Sequence, residues 1–276
     1  MRIDLLGVRG STPAPGLEFV RYGGHTSCVA ITADGEDHPR LVLDAGTGIR
    51  DLPTLLGGEP FRGDIVLTHL HWDHVHGLPF CPAIDHPDAV VRLHIPVAGP
   101  GIDPVEVLSR GLSPPHFPIG PEGLRGHWTF VPLTTGSVLE GVSAQAIDHK
   151  GGDAMAIRVE LDGAAFVYAP DHRLTGSQEG VLSLADGCDL LAHDGQYLEA
   201  ERRVAENFGH AVIGDVFDLA DARTVGSLLL IHHSPTRTDE MLAALESRHD
   251  RTPGGRQVRF ARQGQSIRLQ AAPRSI

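Results

Sequence analysis

Short apolar runs recur along the whole chain, and most are bounded by Gly, Pro or Asp. Many are β-branched or alternate between apolar and polar positions, which is typical of strands with one or both faces buried. This pattern predicts a strand-rich protein. The predicted strands span residues 2–7, 27–32, 41–44, 64–68, 90–95, 128–132, 142–148, 154–160, 164–169, 188–193, 226–231, 257–260 and 266–270.

Helical patterns lie between these strands and become more frequent in the second half of the chain. The predicted helices span residues 48–56, 74–79, 103–110, 178–185, 196–206, 212–222 and 237–248. The last one places Met241, Leu242 and Leu245 at helical spacing, and Thr238 or Asp239 can cap its start. The alternation predicts an α/β protein, but periodicity alone does not select one α/β arrangement over another.

The composition predicts one domain over residues 1–276. The 33 Gly and 20 Pro are spread along the chain and form no linker. No apolar run approaches the ~20 residues of a membrane-spanning helix. The three cysteines, at positions 28, 81 and 188, form neither a C-x-x-C motif nor a disulfide framework. We therefore expect a cytoplasmic protein without a membrane segment.

The chain is acidic, with a formal net charge of −12. Affinity for the phosphate backbone of a long nucleic acid comes largely from basic patches, so this charge argues against such a polymer as the main substrate. It does not argue against a small anion, because bound metal ions would make a cleft locally positive.

Candidate metal chemistry is concentrated at residues 68–74, which read THLHWDH and follow the apolar run at 64–67. A strand that ends in such a cluster can direct several nitrogen and oxygen ligands at one point. Imidazole and carboxylate ligands suit Zn²⁺, and also Mn²⁺ or Fe²⁺. A solvated histidine-rich loop is the alternative, which the H-x-H-x-D-H order disfavours.

This run resembles the signature of the metallo-β-lactamase fold superfamily, and further motifs appear in the order expected for it. They are DHKGG at 148–152, VYAPD at 167–171 and LIHHSP at 230–235. The segments GVRGS at 7–11, YGGHTSC at 22–28 and DAGTG at 44–48 are similar to the branch of ribonuclease Z and cyclic phosphodiesterases. The resemblance covers nearly the whole chain and implies a four-layer αββα sandwich.

The resemblance also implies a site for two divalent metal ions, with Zn²⁺ favoured and Mn²⁺ or Fe as alternatives. The first ion would be bound by His69, His71 and His149, the second by Asp73, His74 and His232, and Asp171 would bridge them. Asp73 is also counted among the catalytic residues. Two such ions would share a hydroxide that attacks the substrate.

An acid–histidine pair is implied by the same resemblance. Asp194 in LAHDGQY and His210 in FGHAV match positions at which ribonuclease Z-like enzymes orient a histidine with a carboxylate. The oriented imidazole would protonate the leaving oxygen as a general acid; a purely structural histidine is the alternative. The family usually shows Gly-His-Ser-Thr here, whereas this chain has Ala211 and Val212 after the histidine. The substrate range therefore stays open.

The implied function is hydrolysis of a small anionic phosphodiester, such as a cyclic one. A carboxylic-ester hydrolase (lactonase or thioesterase) and a non-hydrolytic diiron redox or sensor module are the alternatives. In ribonuclease Z an arm that grips tRNA lies between the motif histidine and the bridging aspartate. His149 and Asp171 are only 22 positions apart here. We therefore expect no tRNA or other long nucleic acid as a partner, and no membrane; a homodimer is left open.

Segment 95–127 reads as irregular, because GPG at 99–101 and SPPHFP at 113–118 interrupt regular structure. Long irregular connections are often functional lids, and a solvent-exposed connection is the alternative. We expect this segment to wall one side of the cleft, with His116 and Phe117 as candidates for substrate contact.

Overall fold

The computed structural model describes residues 1–151, 154–174 and 183–270. In the first sheet of this described part the strand order is β14-β1-β2-β3-β4-β5-β6. These strands are β1 Arg2–Gly7, β2 Cys28–Thr32, β3 Leu41–Leu43, β4 Arg62–Val66, β5 Val90–Pro96, β6 His127–Leu133 and β14 Ser266–Arg268. The second sheet has the order β13-β12-β11-β10-β9-β8-β7. Its strands are β7 Gly136–Leu139, β8 Val142–Ile147, β9 Ala154–Leu161, β10 Ala164–Ala169, β11 Leu190–Asp194, β12 Ser227–Ile231 and β13 Gln257–Phe260.

Helices cover the outer faces of both sheets. They are α1 Leu52–Leu55, α2 Trp72–Val75, α3 Pro104–Ser109, α4 Arg202–Phe208, α5 Ile213–Ala222 and α6 Asp239–Glu246. Short 3₁₀ turns occur at Leu17–Phe19, Thr47–Asp51, Leu78–Phe80, Pro121–Gly123 and Glu199–Glu201. Among the described residues no helix has both the length and the apolar character needed to cross a membrane.

Three apolar clusters define the layers. The central cluster lies between the sheets and includes Leu5, Val29 and Leu229. A second cluster joins the first sheet to the helices outside it, and a third joins the second sheet to α5 and α6. Since their outer faces are covered, strands such as β2, β3, β11 and β12 are buried at every position. The predicted αββα sandwich is confirmed.

The thirteen predicted strands all form, with ends within two residues of the prediction. Strand β7 was missed because its sequence, GSVL, is half-exposed and carries no apolar run. The predicted helix at 74–79 is wrong in its bounds, since α2 begins at Trp72 and gives way to a 3₁₀ turn after Gly77. The predicted helix at 178–185 falls largely on residues 175–182, which lie outside the described part.

Parallel pairing brings the chemistry to one edge of the sandwich. Strand β3 is parallel to β4 in the first sheet, and β10, β11 and β12 are parallel in the second. The carboxyl ends of parallel strands open at the same edge, where ligands of α/β proteins commonly bind. At this edge β3 leads into Asp44, β4 into the 68–74 run, β10 into Asp171, and β12 into His232. Strand β11 ends in Asp194 there.

Candidate metal centre

Three groups of possible metal ligands occur among the described residues. Two of them contain side chains of the 68–74 run, lie side by side at this edge and share one residue, and the third consists of Asp194, His210 and His232. The first cluster consists of His69, His71, His149 and Asp171, and the second of Asp73, His74, Asp171 and His232. Within each cluster the ligand atoms lie within 4.8 Å of one another. The structure therefore brings together all seven side chains of the predicted ligand set.

Asp171 lies between the two clusters with its side chain almost fully buried. Its Oδ2 is 3.0 Å from His69 Nε2 and 3.1 Å from His74 Nε2, and its Oδ1 is 2.8 Å from His232 Nε2. Each carboxylate oxygen thus faces imidazole nitrogens, as a carboxylate that bridges two cations would.

Hydrogen bonds on the outer side of the rings fix which nitrogen faces the cluster. His149 Nδ1 lies 2.6 Å from the Gly209 carbonyl, which can only accept, so Nδ1 donates and Nε2 is left with its lone pair. That Nε2 is 3.2 Å from His71 Nδ1. His74 Nδ1 lies 2.7 Å from a carboxylate oxygen of Asp44, so Nδ1 donates to that carboxylate and Nε2 is the nitrogen that faces the cluster.

The hydroxyl of Thr68 sets the orientation of His69. It donates to Asp44, at 2.9 Å from Oδ1 and 3.0 Å from Oδ2. Its oxygen can therefore accept from His69 Nδ1 at 3.1 Å, which leaves His69 Nε2 unprotonated and facing the cluster.

Despite these short distances, several polar atoms of the clusters are buried and make no hydrogen bond of suitable geometry in the described part of the chain. They are His69 Nε2, His74 Nε2, Asp171 Oδ1 and His232 Nδ1. Buried polar atoms are costly to leave unpaired, and a bound cation would satisfy the first three by accepting their lone pairs. This donor set of imidazole nitrogens and carboxylate oxygens fits two divalent ions.

The electrostatics of the two clusters differ. Burial lowers the pKa of His69 and of His149 to about 4, so both are neutral at pH 7, the form that binds metal. Burial also opposes the charged form of His232, but the carboxylates of Asp171 and Asp73 raise its pKa to about 10. Uptake of an ion at the second cluster would therefore displace protons.

Two residues reach the site through a strained backbone. Asp44 has a φ of 60° and His232 a φ of 58°, in the left-handed region that non-glycine residues rarely adopt. Both directly follow buried strands, and the conformation turns their side chains into the cluster; such strain is common at functional sites. Gly10 makes room for His232, since a Cβ at position 10 would lie 2.3 Å from His232 Nδ1.

A backbone amide in the loop after β1 holds the side chain of Asp73 in place. Its Oδ2 accepts from the Ser11 amide at 2.6 Å and lies 3.1 Å from His232 Nε2. Burial would raise the pKa of Asp73, but His74 and His232 together hold it well below its usual value. The side chain is therefore an anion at the second cluster.

The predicted acid–histidine pair forms beside the clusters. His210 Nδ1 lies 2.8 Å from Asp194 Oδ2, and Asp194 Oδ1 accepts from the Gln196 amide at 3.1 Å. The His210 ring is 5.0 Å from that of His149 and 5.5 Å from that of His232. Although burial opposes it, the Asp194 carboxylate raises the pKa of His210.

Ala211 and Val212 are buried, at 1% exposure each. Val212 is the N-cap residue of α5 and offers no side-chain hydrogen bond to it. A Ser or Thr at position 212 could cap the helix. In this chain Val212 is buried instead, and Ala211 packs in the apolar cluster beside α5.

A cavity of about 720 Å³ adjoins the first cluster. Its wall includes His69, His71 and His149 on one side and residues of segment 95–127 on another, among them His116 and Phe117. The expectation that this segment walls one side of the cleft is confirmed. Within segment 95–127, Asp103 caps α3 by accepting a hydrogen bond from the Val105 amide at 2.9 Å.

Sequence reasoning missed the role of Asp44. Its carboxylate accepts from the Thr68 amide at 2.7 Å, the Thr68 hydroxyl and the Tyr168 hydroxyl at 3.0 Å, and it contacts His74. The only sequence signal was a carboxylate directly after a predicted strand, within the motif at 44–48. That this strand pairs in parallel with the strand leading to the histidine motif is seen only in the structure. Likewise, no signal in the sequence indicated that Gly10 makes room for His232.

Comparison with known proteins gives a family match over most of the chain. The family model described as "Beta-lactamase superfamily domain" matches residues 39–233. A ribonuclease Z from Bradyrhizobium sp. (strain ORS 278) is 26% identical over 303 residues, covering 87% of this chain and 91% of that protein.

Among solved structures, the metallo-beta-lactamase fold protein YhfI from Bacillus subtilis matches with a TM-score of 0.71 at 16% identity, over 97% of this chain and 99% of that one. A diphosphatase from the PhnP family matches with a TM-score of 0.64 at 16% identity, over 98% of each chain. At these identities the two structures are similar to this chain in fold.

Proposed function

The chain belongs to the beta-lactamase superfamily and is a metal-dependent hydrolase, and we propose that its substrate is a small phosphodiester. The observation that carries this proposal is the pair of ligand clusters joined by Asp171, with the His210–Asp194 pair at their side. An arrangement of two cations beside a proton donor suits displacement at phosphorus, where attacking and leaving oxygens must both be stabilised.

The residues that would hold the ions follow from the clusters. His69, His71 and His149 would bind the first ion, and Asp73, His74 and His232 the second, with Asp171 shared. The nitrogen-rich donor set favours Zn²⁺, with Mn²⁺ or Fe as alternatives. When bound, two such ions supply a nucleophile near neutral pH and neutralise charge on the phosphate oxygens.

The chain's own groups would position the proton that the reaction needs. Asp194 holds His210 Nδ1–H, so the other ring nitrogen, Nε2, is the one that can donate to the leaving oxygen. His210 is buried and lies near the rings of both His149 and His232. The proton donor is therefore close to both clusters at once.

Several features support a small substrate rather than tRNA, although a curated relative is named ribonuclease Z. The chain has a net charge of −12. Between His149 and Asp171 the described residues form the hairpin of β9 and β10, paired from Ala164 with Leu161 onward. We expect weak tRNA binding; tight binding that weakens steeply with salt would contradict the proposal.

The test is turnover of bis(p-nitrophenyl) phosphate by protein stripped with a chelator and reloaded with Zn²⁺ or Mn²⁺. We expect release of p-nitrophenol by the reloaded protein and none by the stripped protein. Absence of release from protein shown to hold both metals would overturn the proposal. Turnover of p-nitrophenyl acetate instead would indicate a carboxylic-ester hydrolase, and an iron colour without turnover would indicate a redox or sensor module.

Replacement of His210 by alanine is expected to slow alkyl phosphodiesters much more than aryl ones. An alkoxide leaves poorly without a proton, so loss of the acid should cost about 10²–10⁴-fold for a methyl leaving group and little for p-nitrophenolate. The measurement is kcat for the two substrates, with the exposed His127→Ala as the control. Equal losses on both substrates would show that His210 is not the acid.

A further inference from the structure

We propose that the 720 Å³ cavity beside the first cluster selects phosphate esters that carry a flat aromatic group. This inference rests on the proposed function, since the phosphate would be held at the clusters. The main observation in its support is that exposed aromatic rings and cationic side chains line this cavity together with candidate metal ligands.

The cavity belongs to one side of the site. His69, His71 and His149 of the first cluster line it. Asp171, every other ligand of the second cluster and His210 are absent from its described wall. The leaving oxygen, which His210 would protonate, and the group that fills the cavity are therefore different ends of the substrate. The aromatic group would be the one retained on the phosphate.

Two exposed aromatic side chains stand at the cavity. Trp72 is 68% exposed and stacks on His76 with ring planes 6° apart. Phe80 is 67% exposed and packs edge to face on Phe117 at 5.7 Å. Large exposed aromatic rings that are grouped on one concave surface usually indicate a binding site. Their flat faces and edges suit stacking with another ring.

The charge of the wall fits an anionic ligand. Lys150 and Arg110 line the cavity, and among the described lining residues there is no Asp or Glu. That is unusual for a chain with 35 acidic and 23 basic residues. Arg110 also forms an exposed ion pair at 3.5 Å with Glu106, which is not a lining residue, so Lys150 is the stronger of the two contributions. The volume lies within the range of about 300–1,000 Å³ typical of small-molecule pockets. A ring-bearing phosphate ester satisfies the shape, the aromatic lining and the charge together.

The experiment measures binding of product-like phosphate monoesters by calorimetry, using protein loaded with Zn²⁺. The ligands are methyl, cyclohexyl, phenyl and 1-naphthyl phosphate. We expect phenyl and naphthyl phosphate to bind roughly tenfold more tightly than methyl phosphate, with cyclohexyl phosphate well behind phenyl. Phe80→Leu and Trp72→Leu should remove the preference, Trp72→Phe should retain it, and the exposed Leu17→Ala should leave it unchanged.

Metal content is measured for each variant, because Trp72 lies between two candidate ligands. Equal affinity for cyclohexyl and phenyl phosphate would overturn the inference, as would an unchanged preference in both leucine variants. In either case binding of methyl phosphate leaves the proposed function standing. If protein with two bound metals takes up none of the four esters but hydrolyses bis(p-nitrophenyl) phosphate, the inference fails and the proposed function stands. If it does neither, both fail.

Discussion

Replacement of Asp171 by alanine is expected to abolish phosphodiester turnover and to lower the bound metal from about two ions per chain to about one or fewer. Asp171 is the one residue common to the two ligand clusters. Its two oxygens face His69, His74 and His232 at 2.8–3.1 Å. Without this carboxylate, two cations would lie side by side with no anion between them, so at least one would be lost.

The measurement combines metal analysis with turnover of bis(p-nitrophenyl) phosphate, where we expect a loss of at least about 10³-fold. Asp85→Ala is the matched control, because Asp85 pairs with Arg125 outside both clusters. Circular dichroism of the variant should match that of the parent, which separates loss of the site from loss of the fold. Two retained ions with normal turnover would refute the assignment of Asp171.

The strands could be predicted because each is a local apolar run, and β7 could not because its residues are held by pairing and not by burial. The metal motif could be predicted for the same reason, since its ligands are close together in the sequence. His69, His71 and Asp73 lie within five residues of one another, so one strand end places them together. The pairing of Asp194 with His210 at 2.8 Å was implied by the resemblance, since no local pattern joins them.

What could not be predicted depends on contacts between distant segments. The cavity arises because Trp72, within the metal motif, and Phe80, shortly after it, line it together with residues of α3, which follows a different strand. The tautomers of the histidines depend on acceptors such as the Gly209 carbonyl, which is 60 positions from His149. Asp44 is the strongest case, because its partners Thr68 and His74 belong to the 68–74 run and Tyr168 belongs to β10 in the other sheet.

Asp44→Asn is therefore expected to disable the second cluster while keeping the shape of the side chain. The carboxylate now accepts from Thr68 on Oδ1 and from His74 Nδ1 and the Tyr168 hydroxyl on Oδ2. An amide that keeps its oxygen toward Thr68 turns its NH₂ toward His74, where two donors would meet. His74 relieves this by moving its proton to Nε2, the nitrogen that faces Asp171, and a protonated nitrogen cannot bind metal.

We expect Asp44→Asn to weaken the second metal by about 10–100-fold, measured by competition with a chelator, and to lower the free energy of unfolding of the metal-free protein by about 1–3 kcal/mol. Asp64→Asn is the matched control. Asp64 is also buried and lies 2.7 Å from a histidine, His94, but belongs to neither cluster. The Asp64→Asn variant should be less stable than the parent and should keep both metals. If Asp44→Asn also kept both metals at the parent's affinity, Asp44 would support the fold alone and would not set the tautomer of His74.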